Sequence, residues 1–188
     1  MQVRGRIFLL FVFVLLAAIV GCSSTAKPVV DTSAPAGDGV PAQVVAAQGT
    51  RFVTGSLPFG WRRLLRGDAK AGFMNEVHGQ AIMINVVYAP NRKAGLVALR
   101  NHLLFDLTHR RILEHETTEV DHREALWTVA EGRFDGALVK MALVVVRIDD
   151  WVYDIVYISA PDNYEMCLVD FKSFLTGFHQ QRNYKSAE

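Results

Sequence analysis

Three histidines stand close to acidic residues between positions 109 and 122. The members of this cluster are His109, His115, His122, Glu116, Glu119 and Asp121. In a strand over 114–122, alternation places His115, Glu119 and Asp121 on one face. Imidazole and carboxylate groups bind zinc or copper, so this polar strand is a candidate metal- or small-ligand site. The spacing H-E-x-x-H is absent, however, and a row of polar side chains on an exposed strand is the commoner interpretation.

Nucleophilic catalysis has little support in the sequence. It contains no G-x-S-x-G elbow and no glycine-rich phosphate loop of the G-x-x-x-x-G-K-[ST] or G-x-G-x-x-G type. Cys167 lies beside Leu168 and Phe171 on the apolar side of a predicted helix, where a thiol usually packs as a small hydrophobe. We therefore expect a protein with no catalytic residues and no cofactor.

Arg92 and Lys93 form a weak candidate site for binding an anion. They follow Asn91, the expected N-cap of a helix, where the helix dipole already favours negative charge. An anionic partner or a lipid headgroup would compensate two cations there. Two solvated side chains, tolerated at small cost, are the commoner explanation.

The other cysteine, Cys22, follows a segment with the layout of a secretory signal peptide. Arg4 and Arg6 form a basic tip, an unbroken apolar run extends over residues 7–20, and Gly21 is the small residue before the cysteine. The run of 14 residues is too short for a permanent membrane-spanning helix, which needs about 20 residues.

The residues Ile19-Val20-Gly21-Cys22 resemble the lipobox of bacterial lipoproteins. This resemblance implies that residues 1–21 are removed, that the Cys22 sulfur carries a diacylglyceryl group, and that the new amino terminus also receives an acyl chain such as palmitate. Two or more chains give stable anchoring to a membrane. Ser23 is similar to the residue found in enteric lipoproteins of the outer membrane, so we expect an envelope protein anchored there and facing the periplasm. An ordinary signal peptide before an unmodified cysteine is the alternative.

Composition limits the classes of partner. Removal of residues 1–21 leaves 167 residues with 18 basic and 19 acidic side chains, a net charge of −1. Such a chain has no overall field that would draw it onto nucleic acid. With Cys22 lipidated, Cys167 has no intramolecular partner, which excludes a disulfide framework.

Two regions follow the signal peptide. Residues 22–49 are rich in Pro, Gly, Ala, Ser and Thr and contain no aromatic residue, so they predict a flexible tether. Residues 50–188 predict a single α+β domain with a mostly antiparallel sheet. Its strands are expected at 51–56, 61–66, 73–77, 80–88, 114–122, 125–134, 137–148 and 151–160. The last four form a C-terminal meander with a two-residue turn at Asp135-Gly136.

Two helices are predicted to cover this sheet. Leucines at positions 96, 99, 103 and 107 predict a helix over 92–112, with Arg100 on its polar face. A second helix is predicted over 164–178, preceded by a variant capping box formed by Asp162 and Glu165. Because each helix has a single apolar stripe, we expect both helices on the same side of the sheet.

Aromatic residues share one face of the last strand, namely Trp151, Tyr153 and Tyr157 together with Ile155. Such a stripe could bind a ligand or a partner. More often it is the face of a sheet that a helix covers, and we favour that interpretation.

The order of elements resembles the PsbP-like fold, which is shared by an extrinsic photosystem subunit and a small Ran-binding import factor. The residues that carry the resemblance are Pro58-x-Gly60-Trp61 before the strands, Asp135-Gly136 in the meander and Ala160-Pro161 before the last helix. The resemblance covers residues 51–180, and bacterial lipoproteins of the DcrB-like type are also similar. It implies a non-enzymatic accessory or assembly factor that binds an envelope protein, with no family active site to transfer. The alternative is a metal- or small-ligand-binding domain that uses the strand over 114–122.

The lipid anchor yields a first prediction. Cys22→Ser removes the only thiol near the expected cleavage site, so the variant should remain unprocessed, or be cleaved elsewhere and become soluble. Metabolic labelling with a radioactive fatty acid and membrane fractionation measure this directly. A variant that is still lipid-labelled and membrane-bound would contradict the lipoprotein interpretation.

Overall fold

The computed structural model describes residues 39–47, 49–64, 69–90 and 94–181. The predicted signal peptide, Cys22, the tether up to residue 38, and Asn91, Arg92 and Lys93 lie outside these ranges. The described strands are β1 (Val44–Ala47), β2 (Thr50–Val53), β3 (Trp61–Leu64), β4 (Ala71–Asn75), β5 (Gln80–Tyr88), β6 (Thr108–Val120), β7 (Arg123–Phe134), β8 (Ala137–Ile148), β9 (Trp151–Ser159) and β10 (His179–Gln180). The helices are α1 (Leu96–Leu103) and α2 (Leu168–Thr176). No helix in the described ranges is long and apolar enough to span a membrane.

Seven of these strands form one antiparallel sheet in the order β3-β4-β5-β9-β8-β7-β6. Strands β1, β2 and β10 form a small second sheet. The predicted α+β fold with a C-terminal meander is confirmed, because β6 to β9 are consecutive neighbours. Asp135 and Gly136 have φ angles of 47° and 84°, as the favoured two-residue hairpin turn requires.

The first face of the large sheet, called here the aromatic face, is covered by α2 and by the small sheet. Its residues include Trp127, Val144, Tyr153, Ile155 and Tyr157. Phe171 of α2 is fully buried and stacks on Tyr157, with the ring centroids 5.4 Å apart. Phe52 of β2 meets Tyr153 edge to face at 5.7 Å. The aromatic stripe of the last strand is therefore the covered face of the sheet, as favoured from the sequence.

The second face, called here the aliphatic face, is covered by α1 and by the chain that follows it. Met83, Leu143, Val145, Val156 and Ile158 lie on this face, packed against the leucines of α1. The two helices thus lie on opposite sides of the sheet, and the prediction of one shared side is wrong. The reason is that the residues 141–146 of β8 are buried on both alternating faces, so both faces need a cover.

The first helix is much shorter than predicted. It ends at Leu103, and β6 begins at Thr108, so the end of the segment over 92–112 belongs to a strand. These residues form a strand and not a helix because the second half of β7 needs a partner for its backbone groups. Leu107 continues the leucine spacing and is buried, but it lies outside the helix and packs beside Gly132.

Arg100 also departs from the prediction. The leucine spacing predicts it on the polar face of the helix, yet it is only 6% exposed, while Leu96, Leu99 and Leu103 are half-buried. The position of the short helix over β7 and β8 turns this residue toward the sheet.

The last helical segment consists of two parts. Pro161–Cys167 is a 3₁₀-helix, and α2 follows it directly. Ala160 is the N-cap and no side chain caps this segment, so the predicted capping box of Asp162 and Glu165 does not form. Proline at the first position favours this start by fixing φ.

The folded domain begins earlier than predicted. Val40 forms a β-bridge with Leu57, and β1 lies within the range 22–49 that we predicted as a tether. Val45 and Ala47 are buried in the core beneath the aromatic face. The tether boundary near residue 49 is therefore corrected: residues 40–47 belong to the domain.

Two alanine substitutions in α2, one at a buried residue and one at an exposed residue, test whether this helix covers the aromatic face. Phe171→Ala removes a fully buried ring and should lower the free energy of unfolding by about 3–5 kcal/mol. Val169→Ala, in the same helix but exposed, should change it by no more than about 0.5 kcal/mol. Chemical denaturation measures both. Equal midpoints for the two variants would contradict the assignment of the buried face of α2.

Candidate functional site

The polar strand does not assemble the predicted metal ligands. β6 ends at Val120, so Asp121 and His122 form the turn to β7, with φ angles of 51° and 58°. Asp121 Oδ2 accepts a hydrogen bond from the backbone N–H of Gln180, and Glu119 lies 3.3 Å from Nδ1 of His122. Across the described ranges, no three His, Cys, Asp or Glu side chains are placed to hold one metal ion.

The remaining histidines of the cluster lie apart from these groups. His109 has a φ of 50° in a β-bulge near the start of β6. His115 pairs with Thr128 of β7, whose neighbour on β8 belongs to the aliphatic face, so His115 projects on that side. The structure therefore places His109, His115 and His122 at three different sites along one edge of the sheet.

Cys167 is buried at the junction of the 3₁₀-helix and α2. Asn75 Nδ2 lies 3.7 Å from its sulfur as a hydrogen-bond donor. Burial raises the pKa of the Cys167 thiol to about 11, and the nearby Asp170 acts in the same direction. The position of this thiol agrees with the predicted packing role.

The described residues form an open groove of about 600 Å³ along α2. Its lining consists of Val40, Pro41, Ser56, Leu57, Pro58, Val169, Asp170 and Ser173. Val169 of the lining is 69% exposed, and Phe59, the next residue after Pro58 of the lining, is 74% exposed. Exposed apolar side chains at a concave surface are typical of a site that another molecule covers. We call this feature the α2 groove.

The walls of the α2 groove are held together by a close backbone approach. A Cβ atom at Gly55 would lie 2.1 Å from the carbonyl oxygen of Phe174, which no side chain can accept. Gly177 is also restricted, since its Cβ would lie 2.8 Å from Cα of Gly55. Glycine at both positions lets the segment before β3 lie directly against α2.

One charged group stands in the α2 groove in a fixed position. The indole Nε1–H of Trp61, which is buried, donates to Oδ2 of Asp170 at 2.8 Å. A donor held by the core orients the carboxylate on the groove wall. Sequence reasoning missed this pair because the two residues are 109 positions apart. The only available signal was Val169, an apolar residue outside the stripe that α2 buries.

Comparison with known proteins places the fold. No protein-family model and no curated protein matches the sequence. Among solved structures, LpqN of Mycobacterium tuberculosis, involved in cell envelope biogenesis, matches with a TM-score of 0.58 and 12% identity over 75% of this chain and 91% of LpqN. Cyanobacterial PsbP (CyanoP) of Synechocystis sp. PCC 6803 matches with a TM-score of 0.52 and 12% identity, over 82% of this chain and all of CyanoP.

These matches and the sheet order define a PsbP-like α+β domain. The fold expected from the resemblance is thereby confirmed. Identities of 12% concern the fold alone. The relation to DcrB-like lipoproteins stays a prediction.

The burial of Cys167 gives a prediction for thiol chemistry. The native thiol should react slowly with iodoacetamide at neutral pH and rapidly after unfolding, because its thiolate is disfavoured and covered. The native-state pKa of about 11 lies above the ordinary value of 9.0. The stability that Cys167 contributes is therefore complete below the ordinary pKa and is lost as the pH rises through the native value. Rapid labelling of the folded protein would contradict this assignment.

Proposed function

We propose that the protein is a membrane-anchored lipoprotein of the cell envelope whose PsbP-like domain acts as a non-catalytic accessory or assembly factor. In this proposal Cys22 carries the lipid and the domain faces the periplasm from the outer membrane. Support comes from the lipobox-like residues and from the fold shared with LpqN, a protein involved in cell envelope biogenesis. The domain acts by holding a partner protein in the α2 groove.

The observation that carries this proposal is the combination of exposed apolar surface with one fixed carboxylate. Phe59 and Val169 lose water contact only when something covers them. Asp170, oriented by Trp61, would pair with a cation at the centre of the interface. The chemistry therefore fits a polypeptide segment of an envelope protein that carries apolar residues and one Lys or Arg.

No contact among the described residues favours a metal site at the polar strand. The carboxylates of Glu119 and Asp121 already serve a turn and the small sheet. We therefore propose no metal site on the segment over 114–122.

The α2 groove can be tested by site-specific photo-crosslinking in living cells. Replacing Val169 by p-benzoylphenylalanine should yield a discrete protein adduct. The same replacement at Val97, an exposed valine of α1 on the opposite face of the sheet, should not. Adducts of lipid, or equal adducts at both positions, would contradict a protein partner in the groove.

Asp170→Asn then tests the charge in this interface. The amide oxygen can still accept from Trp61, so the fold should be retained while the charge is lost. We expect the adduct yield at Val169 to fall about fivefold, as for the loss of an ion pair of about 1 kcal/mol. An unchanged yield, with an unchanged unfolding midpoint, would show that the partner brings no cation to this site.

A further inference from the structure

A buried arginine lies between α1 and the aliphatic face of the sheet. Arg100 is 6% exposed, and its neighbours in the hydrogen-bond network are uncharged. Nε donates to Oδ1 of Asn101 at 2.9 Å, and Nη1 approaches Oγ1 of Thr128 at 3.5 Å. The second terminal nitrogen, Nη2, has no hydrogen-bond partner among the described residues.

No carboxylate among the described residues pairs with Arg100, since none of the ion pairs found there includes it. The charged group that acts on it is another cation, Arg110, whose Nη1 donates to the carbonyl oxygen of Leu104 at 3.1 Å. The same Leu104 donates its N–H to the carbonyl oxygen of Arg100. Burial first, and then the charge of Arg110, lower the pKa of Arg100.

Burying the guanidinium of Arg100 without a carboxylate costs free energy unless another interaction offsets that cost. A guanidinium withdrawn from water without a carboxylate loses hydration and gains only weak polar contacts. A second cation beside it adds repulsion. Arginine often avoids this cost by extending its charged end to solvent, but here almost the whole residue is covered. A bound anion would remove both penalties together.

The surrounding side chains fit an anion. His115 lies opposite Thr128 in the β6–β7 register, so it projects from the same face as the Thr128 hydroxyl. Glu114 and Glu116 pair with Val129 and Trp127 and therefore project from the aromatic face. The acidic residues in the middle of β6 thus point away from Arg100.

We propose that Arg100, Arg110 and His115 form a binding site for a phosphate group between α1 and β6. Two guanidinium groups from different elements suit a tetrahedral oxyanion with several acceptor oxygens better than a single planar carboxylate. The phosphate is either a free ion or the esterified headgroup of a lipid. This site is separate from the α2 groove, because it lies on the opposite face of the sheet.

Thermal unfolding of the full chain in a non-ionic detergent tests the site. Tryptophan fluorescence would report the midpoint in inorganic phosphate, in glycerol 3-phosphate and in chloride at equal ionic strength. We expect a saturable rise of the midpoint with phosphate that chloride does not give. A larger rise with inorganic phosphate identifies a free ion, and a larger rise with glycerol 3-phosphate identifies a headgroup. No saturable rise with either probe would overturn the proposal.

Three variants separate this site from general salt effects. Arg100→Gln and Arg110→Gln should each weaken phosphate binding about tenfold or more, as expected for charge-assisted hydrogen bonds. Arg123→Gln removes the same charge at an exposed ion pair with Asp149 and should bind phosphate like the wild type. Arg110 is exposed, so its variant decides the matter if Arg100→Gln does not fold. Wild-type binding by Arg110→Gln, or equal weakening by Arg123→Gln, would overturn the proposal.

Discussion

The central sheet is apolar on both faces, and the requirement to cover both determines the rest of the architecture. Strand β8 is buried along residues 141–146, and β9 beside it is buried from Val152 to Ser159. One helix can cover only one face, so α1 and α2 must lie on opposite sides. The small sheet completes the cover of the aromatic face with Phe52 of β2, and Phe178, between α2 and β10, packs beside it. The α2 groove lies where α2 meets the chain before β3, and the Arg100 site lies where α1 meets the sheet.

The two sites differ in how the fold creates them. The α2 groove depends on glycine, because Gly55 and Gly177 bring the chain before β3 against the helix and leave Phe59 and Val169 outside the core. The Arg100 site depends on a helix that is too short to cover β6. In both cases an element that covers the sheet leaves groups unsatisfied: apolar side chains remain in water near α2, and a cation is buried beneath α1.

Much of the sheet and the position of the last helix could be predicted from the sequence, whereas the extent and orientation of α1 could not. Strands 80–88 and 137–148 are β-branched runs bounded by turn residues, so local pattern decides their limits. The end of α1 is decided instead by β7, whose second half pairs with residues 108–112, between 18 and 25 positions earlier in the chain. Arg100 was misplaced for the same reason, and the Trp61–Asp170 pair joins residues 109 positions apart. Periodicity describes a face of an element, but only the tertiary fold decides what that face meets.

The corrected start of the domain changes what a lipid at Cys22 would do. The chain enters the fold at Val40, which itself lines the α2 groove. Only 17 residues separate Cys22 from Val40, a reach of about 60 Å when fully extended and about 23 Å as a flexible coil. If Cys22 is lipidated as proposed, the groove therefore stays within these distances of the membrane surface. A partner embedded in that membrane would meet the groove at a raised effective concentration, so the proposed role would need only modest affinity from the groove itself.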